Sequence, residues 1–575
     1  MIYTSIQNHK IILRPSQFNH KENLLESLAL LRHGHMNFQK FPLQIYFTHI
    51  YEKIPNLLSA VELATEMILN QKTIGIIGDY DVDGTVATTI LVKFFNYLKI
   101  YFNFNYVYHI PNRFSEGYGP SIFAINRLNK EGVNLIITVD SGSTSYKELD
   151  LANDMSIKSI VLDHHMVQKE IPKATCFVNC QNSEEFKYLC GSGLAFVFAL
   201  QLQKNLQTKQ TFPPFNFTEI LDLVAVATVC DFVPLIGLNR SIVHHGLKIL
   251  NHQYLQTTNK LNPALHMILQ YSMFHYNKNT YISSTDLGFS IGPYLNVAGR
   301  LDDANIIIRF LISENQKDLE VYFFQLQNWW VQRKKIQEEI LNTIQINEVD
   351  KFILVCNENI HEGIMGIIAA KLKDKYNKPA IVIAINGEEA KGSIRGIPPF
   401  NSGLLVESAI TANILIKGGG HGAAAGFSIK TNRMGDFYNF IKNNMESIHI
   451  PQEKEILVDT ILSLEGLNRE FYDELQKIGP FGIHNEDYIF LFPYLQIKSL
   501  YIMSGKHLSL QLSNITNTSI IKALWFFTPS IALETLLVNH IIHVVATIKY
   551  INKKIELYII DIIIDHKIIP VEDTL

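Results

Sequence analysis

Four acidic stations in this sequence could do chemistry. Asp79, Asp81 and Asp83 share the heptapeptide GDYDVDG at residues 78–84, and Asp140 opens an Asp-Ser-Gly triplet. Asp163, His164 and His165 are consecutive, and Asp231 follows an apolar run at residues 220–229. Carboxylates with imidazole and no thiolate suit hard to borderline divalent cations such as Mg²⁺ or Mn²⁺. Packed together, they would repel one another unless a cation neutralised them. Five or six such ligands suffice for two ions, and ions about 3.5–4 Å apart support in-line phosphoryl displacement by water. Singly, each station has a plainer reading. DYDVDG lacks the later Glu of a calcium loop, Asp-His-His is a common surface tripeptide, and an Asp after an apolar helix is a common cap. Taken in order, they read as a two-metal phosphoesterase.

The elements that must position these groups are legible. Short β-branched runs at residues 72–78, 134–139 and 156–162 each stop at one station, and helical patterns follow at 85–98 and 146–153. Strand, loop, helix and strand at this spacing predict βαβ units in a parallel sheet. Ligands bind beyond the carboxyl ends of such strands, so the convergence of the acids follows from topology. Residues 313–346 hold no Gly or Pro and predict one long helix between two domains. A second α/β unit follows, with strands at 352–356 and 380–384 and a glycine-rich loop at 418–426. From residue 452 short β runs (488–492, 508–512, 540–549, 554–563) predict a small β-barrel. The expected division is an N-terminal segment at 1–45, a metal-binding α/β domain at 46–312, a connecting helix at 313–346, a substrate-binding α/β domain at 347–447 and a β-rich domain at 452–575.

Composition narrows the class. The chain has 575 residues, 47% hydrophobic and 18% charged, with a net charge of −4. That excludes intrinsic disorder, and any polyanion site must be a local patch. The sequence shows neither a signal-peptide pattern nor a membrane span, and the expectation is a cytoplasmic protein. Five scattered cysteines make no disulfide framework, and no CxxC or paired-His spacing supports zinc. Three further motifs carry open readings. Ser393 and Arg395 form an anion site or carry a solvated arginine. The glycine-rich loop with Gly420 and His421 admits a phosphate or base, or is a tight packing turn. Trp329 and Trp330 beside Arg333, Lys334 and Lys335 mimic a basic–aromatic nucleic-acid patch, but on a bridging helix they read as a packed stripe beside a solvated face.

Read together, the motifs resemble the DHH phosphoesterase superfamily, and within it the RecJ family of single-strand-specific exonucleases. Its carriers are GDYDVDG (78–84), PNRFSEGYG (111–119), TVDSG (138–142), LDHH (162–165), CGSGLAF (190–196) and LDLVAVATVCDFVPL (221–235). They continue through DLGFSIGPYLNVAGRLDDA (286–304), HEGIMGIIAAKL (361–372), KGSIRGI (391–397), GGHGAAAG (419–426), GPFG (479–482) and GKHLSLQL (505–512). The resemblance implies a DHH domain, a DHH-associated domain and a C-terminal oligonucleotide-binding (OB) fold. It implies two Mn²⁺ or Mg²⁺ ions, Asp81 and Asp83 each holding one, Asp140 bridging, and His164 and Asp231 completing the second site. Asp79 and His165 would stand close by, with His165 facing the scissile phosphate. Arg113, Ser393 and Arg395 would grip the 5′ end, while Asn296, Arg300, Gly420 and His421 line the cleft. The implied activity is hydrolysis of single-stranded DNA from the 5′ end to 5′-mononucleotides in recombination and repair. The implied state is a monomer, working with a single-strand-binding protein and a repair helicase.

The sequence departs from that pattern at Tyr294, where an Arg is usual, and at Ser141, Ile360, Ile394, Gly396 and residues 484–488. No expected metal ligand is lost. The competing expectations are a phosphodiesterase for short oligonucleotides or cyclic dinucleotides, and a non-catalytic single-strand scaffold. The long β-rich tail argues against the first and the full ligand set against the second.

Overall fold

The computed structural model describes residues 2–14, 27–29, 32, 43, 50–167, 170–256, 262–275, 281–344, 346, 350–449, 454–551 and 553–564. The expected boundaries at residues 45, 46, 347 and 452, most of the N-terminal segment, and residues 565–575 of the expected C-terminal domain lie outside the described residues. In chain order the strands begin with β1 (Ile2–Thr4), β2 (Lys10–Leu13), β3 (Thr73–Ile77), β4 (Asn105–His109), β5 (Leu135–Val139), β6 (Lys158–Asp163) and β7 (Cys176–Asn179). The last five form a sheet of order β4-β3-β5-β6-β7 in which every pairing is parallel. β5 is buried along its whole length, as a parallel strand covered on both faces must be. The helices Val82–Leu98, Gly191–Lys209 and Leu221–Cys230 pack on one another in the core, dominated by aliphatic and Phe side chains.

The helix Gln316–Thr343 is the predicted bridge, capped by Asn315, whose side chain accepts from the Lys317 N–H. Its 28 residues span about 42 Å at 1.5 Å each. Leu319, Phe323 and Leu326 belong to the core of the first domain and Ile340 to a core of the second, so the two ends are anchored separately.

The second domain has β8 (Ile353–Asn357), β9 (Ala380–Asn386), β10 (Glu389–Arg395), β11 (Lys417–Gly420) and β12 (Ala424–Lys430), in the order β11-β12-β10-β9-β8. Only β8 and β9 pair in parallel. The expected glycine-rich loop is therefore a hairpin of β11 and β12 turning at His421. The third unit holds β13 (Glu455–Val458), β14 (Thr460–Ile461), β15 (Phe490–Met503), β16 (His507–Ser513), β17 (Ile520–Trp525), β18 (Ile541–Ile551) and β19 (Lys554–Ile563). β15, β16, β17, β19 and β18 pair in that order and β18 pairs back to β15, closing a barrel.

The structure corrects two further expectations. The N-terminal strands do not stand apart, because β2 pairs in parallel with β13 and joins the C-terminal unit. The helix that follows β3 starts at Val82, three residues before the expected start, because Asp81 caps it; Asp83 therefore lies inside its first turn. The barrel docks on the first domain through the Leu235 N–H to the Ile483 carbonyl (2.8 Å) and Ser284 Oγ to the Phe481 carbonyl (2.5 Å).

Candidate metal centre and substrate cleft

The ends of β3, β5 and β6 and of the helix Leu221–Cys230 bring the acids to one point. Asp79 stands two residues beyond β3 and is 3% exposed. The Asp81 carboxylate accepts the Gly84 N–H at 3.0 Å. Asp83 accepts the N–H groups of Gly191 (2.5 Å) and Ser192 (2.8 Å), the open donors at the start of the helix Gly191–Lys209. Asp140 sits at φ +57°, a left-handed conformation that a non-glycine residue keeps only where its surroundings enforce it. The Tyr118 hydroxyl donates to its carbonyl at 3.0 Å. A Cβ at Gly191 would lie 2.5 Å from the Asp140 Cβ, so only glycine lets the helix start so close to the acid.

His164 closes the cluster, its Nε2 lying 3.1 Å from Asp140, 3.6 Å from Asp231 and 3.8 Å from Asp83. Three ligand sets have donor atoms within 4.8 Å of one another: Asp79, Asp81 and Asp140; Asp83, His164 and Asp231; Asp140, His164 and His165. Asp79 is thus as close as a ligand would be, nearer than the resemblance implies. Asp79 Oδ1 and Asp231 Oδ2 are buried without a hydrogen-bond partner, and a buried carboxylate oxygen in that state needs a cation or a proton. The donor set, oxygen-rich with imidazole, fits Mn²⁺ or Mg²⁺.

Asp163 organises this loop. Its Oδ1 accepts the His164 N–H (2.7 Å) and His165 N–H (3.2 Å) and lies 2.8 Å from His165 Nδ1, while its Oδ2 accepts the Ser143 N–H at 2.9 Å. Tyr118 Oη is 3.0 Å from the same His165 nitrogen. Sequence reasoning gave Asp163 and Tyr118 no role. The signal for Asp163 was its place as the last residue of a strand, immediately before two histidines.

Electrostatics follow from this packing. Burial first, then neighbouring carboxylates, hold Asp79, Asp140 and Asp231 well above the ordinary carboxylate range, and raise Asp81 as well. Burial and the neighbouring His165 lower His164, which favours the neutral form a metal ligand needs. For Asp163, burial is outweighed by the hydrogen bond and charge of His165, and its carboxyl falls well below the usual range. Burial would likewise lower His165, but the bond to Asp163 and the surrounding carboxylates prevail and carry it to about 9.

Facing the acids is a basic cleft. Arg113 stacks over Tyr80 at 5.0 Å. Arg395 donates to Ser393 Oγ (3.2 Å) and to the Ile394 carbonyl (3.0 Å), which makes Ser393 and Arg395 one unit on β10. Arg300 donates to the Gly363 carbonyl at 3.3 Å, and a Cβ at Gly363 would lie 1.8 Å from the Arg300 carbonyl oxygen. The second domain is therefore seated on the helix Ala298–Leu301. Burial, then Arg113, Arg333 and Arg395, lower Arg300 to about 9, so four guanidinium groups share one field. His421 is lowered by burial, then by Arg395 and His165, which places it at the same junction. Asn296 lies at the end of the helix Gly292–Leu295, one turn before Arg300. Gly420 has a packing role, since a Cβ there would meet the Ala424 carbonyl at 2.3 Å, whereas Gly419 faces open space. Tyr294 is 5% exposed and stacks on Trp330 at 5.5 Å, so it is a packing residue.

Comparison with known proteins gives a consistent result. Residues 73–228 match the DHH family, N-terminal domain; residues 349–447 match the DHHA1 domain; residues 458–559 match the RecJ OB domain. The single-stranded-DNA-specific exonuclease RecJ of Haemophilus influenzae is 30% identical over 506 residues, which are 84% of this chain and 83% of that protein. The Escherichia coli protein of the same name is 30% identical, with 74% of this chain and 76% of that one covered. The crystal structure of Thermus thermophilus RecJ in complex with Mn²⁺ superposes with a TM-score of 0.78 at 23% identity, covering 96% of this chain and 79% of that one. A crystal structure of exonuclease RecJ bound to manganese gives a TM-score of 0.58 at 27% identity, covering 69% of this chain and 96% of that one.

Proposed function

The chain belongs to the RecJ family of single-stranded-DNA-specific exonucleases, and from that premise we propose that it hydrolyses single-stranded DNA from the 5′ end to 5′-mononucleotides, with two Mn²⁺ or Mg²⁺ ions, in recombination and repair. The observation that carries the reading is the meeting of three ligand sets with the four-arginine field across one cleft. When bound, the ions supply an activated water and neutralise charge on the phosphoryl oxygens. Asp79, Asp81 and Asp140 would hold one ion, and Asp83, His164 and Asp231 the other. Asp140 would stand between the two ions, as the family resemblance implies, its Oδ1 being 3.1 Å from His164 Nε2 of the other set. Asp163 fixes His165, whose cationic form faces the scissile phosphate. Arg113, Ser393 and Arg395 grip the terminal phosphate, while Arg300, Asn296, Gly420 and His421 line the path.

The closed barrel and its match to the RecJ OB domain support a long single strand as substrate rather than a dinucleotide. In the same reading the protein acts in the cytoplasm as a monomer, on strands exposed by a helicase and shared with a single-strand-binding protein. Among the described residues no helix is long and apolar enough to cross a membrane. Strands labelled at either end test the polarity. With Mn²⁺, the 5′ label should appear first as a mononucleotide while the 3′ label stays on a shortening strand. Release of the 3′ label first, or cutting of the dinucleotide alone, would overturn the reading.

A further inference from the structure

The turn at residues 478–485 of the barrel unit is gripped by the first domain through its carbonyls. Arg240 Nη2 donates to those of Ile478 (2.5 Å) and Gly479 (3.1 Å), and Ser284 Oγ to that of Phe481 (2.5 Å). The Leu235 N–H takes that of Ile483 at 2.8 Å. The turn is also stiff from within. Asn485 Nδ2 donates to the carbonyls of Ile478 (3.2 Å) and Pro480 (2.8 Å), and Gly482 and Asn485 exchange backbone hydrogen bonds at 2.8 and 3.0 Å. Leu235 is 2% exposed, and a Cβ at Gly482 would lie 2.6 Å from its Cδ1. The leucine therefore packs against bare glycine backbone.

The gripped segment leads straight to a metal ligand. Leu235 follows Asp231 by four residues, and Asp231 stands at the end of the helix Leu221–Cys230. Asp81 and Asp83 are aimed by N–H groups that donate to their carboxylates, whereas Asp231 Oδ2 is buried without a hydrogen-bond partner. Its direction depends on the backbone around it. Asn239, itself 2% exposed, ties that backbone down, its Nδ2 donating to the carbonyls of Pro234 (3.0 Å) and Tyr188 (2.6 Å). Tyr188 precedes Gly191 by three residues, and the Gly191 N–H is one of the two that hold Asp83. One asparagine thus links the segments that aim Asp83 and Asp231, which belong with His164 to one ligand set. Asp79 and Asp140 stand instead just beyond β3 and β5, at the ends of strands of the parallel sheet.

We propose that the barrel turn 478–485 is a positioning element of the metal centre. Seated against Leu235, it fixes the loop that carries Asp231, so the ion of Asp83, His164 and Asp231 binds tightly only with the barrel docked. Leu235, Asn239 and Gly482 are the positioning residues, and the ion of Asp79, Asp81 and Asp140 is independent of them. This rests on the two-ion reading above and gives the barrel a part in the chemistry. Supports outside the ligand shell act on a metal in this way, by fixing the direction of the ligands themselves.

The test is Mn²⁺ binding by the full chain without nucleic acid, followed by titration calorimetry. Asp231→Asn removes a ligand of the ion in question and so identifies its step in the isotherm. Gly482→Val crowds Leu235, and Ser284→Ala removes the hydroxyl that holds the Phe481 carbonyl. In G482V that ion should weaken about tenfold while the other stays within about twofold, the scale of a lost outer support. S284A should weaken the same ion by a smaller factor. Both affinities unchanged, or both weakened alike, would make the turn a structural seat and overturn the inference while the two-ion reading stands. A single ion on the unmodified protein would overturn the two-ion reading itself. Should G482V fail to fold, S284A decides alone, and parental affinities for both ions would overturn the inference.

Discussion

At the scale of single residues, the site is a balance between repulsion and burial. Asp79, Asp140 and Asp231 are each held above the ordinary carboxylate value of about 4. Between that value and their own, the folded protein holds more protons than the unfolded chain. Stability without ions therefore falls as pH rises through this window. Asp163 works in the opposite sense: its depressed titration adds stability above the unfolded value that is lost as pH falls. A divalent cation displaces the protons of the first group and reverses its effect. The gain in Tm on adding saturating Mn²⁺ is accordingly expected to be larger at about pH 8 than at about pH 5.5, by thermal unfolding. An equal gain at both would mean that the acids are not shifted together. These acids were legible because each closes a strand or a helix. Asp163 also closes a strand and was legible as an acid, but its organising role and that of Tyr118 were not, since these depend on hydrogen bonds across loops that no spacing encodes. The packed stripe expected of Trp329 and Trp330 is present, and the solvated face beside it holds at Lys335 but not at Arg333, whose Nε is buried.

At the scale of elements, the cleft depends on how closely two elements approach. The 3₁₀ turn Glu362–Ile364 sits on the helix Ala298–Leu301 so tightly that Gly363 has no room for a side chain. Gly363→Ala must push the turn away from Arg300. The expected cost is about 1–3 kcal/mol of stability at the domain junction. A fall in kcat/KM on single strands should accompany it, because Arg300 and Arg395 would no longer face one another. Denaturant unfolding and steady-state kinetics check both; a variant equal to the parent in each would contradict the assigned approach. The parallel strands and the long helix were readable from apolar runs and from the absence of Gly and Pro. The hairpin β11–β12 was hidden because its glycines suggest a loop, while its pairing is set by the partner strands.

At the scale of the whole molecule, the two ends of the chain share one unit. β2 pairs with β13, and the buried Asp459 joins Arg14 (3.2 Å) and Arg32 (2.7 and 2.5 Å) to the barrel. Asp459 also accepts the Ile489 N–H at 2.8 Å. Contacts across more than four hundred residues leave no local trace, which is why the N-terminal segment reads as separate in sequence. Arg32→Met leaves a fully buried carboxylate with one partner fewer. It is expected to cost about 3 kcal/mol and to open the barrel to proteolysis before the first domain. Limited proteolysis read by fragment mass checks the order, and simultaneous cleavage of both domains would contradict it.

One cluster of acids and imidazole, served by one basic cleft, degrades single strands. The most direct measurement is a time course on a single-stranded oligonucleotide and on its blunt duplex, with Mn²⁺ or with EDTA. Asp140→Asn, which keeps the side chain's shape, serves as the control. Metal-dependent mononucleotides are expected from the single strand, little from the duplex, and a fall of about a thousandfold in kcat for D140N, some 4 kcal/mol in barrier. Digestion that survives EDTA, or near-parental rates in D140N, would contradict it.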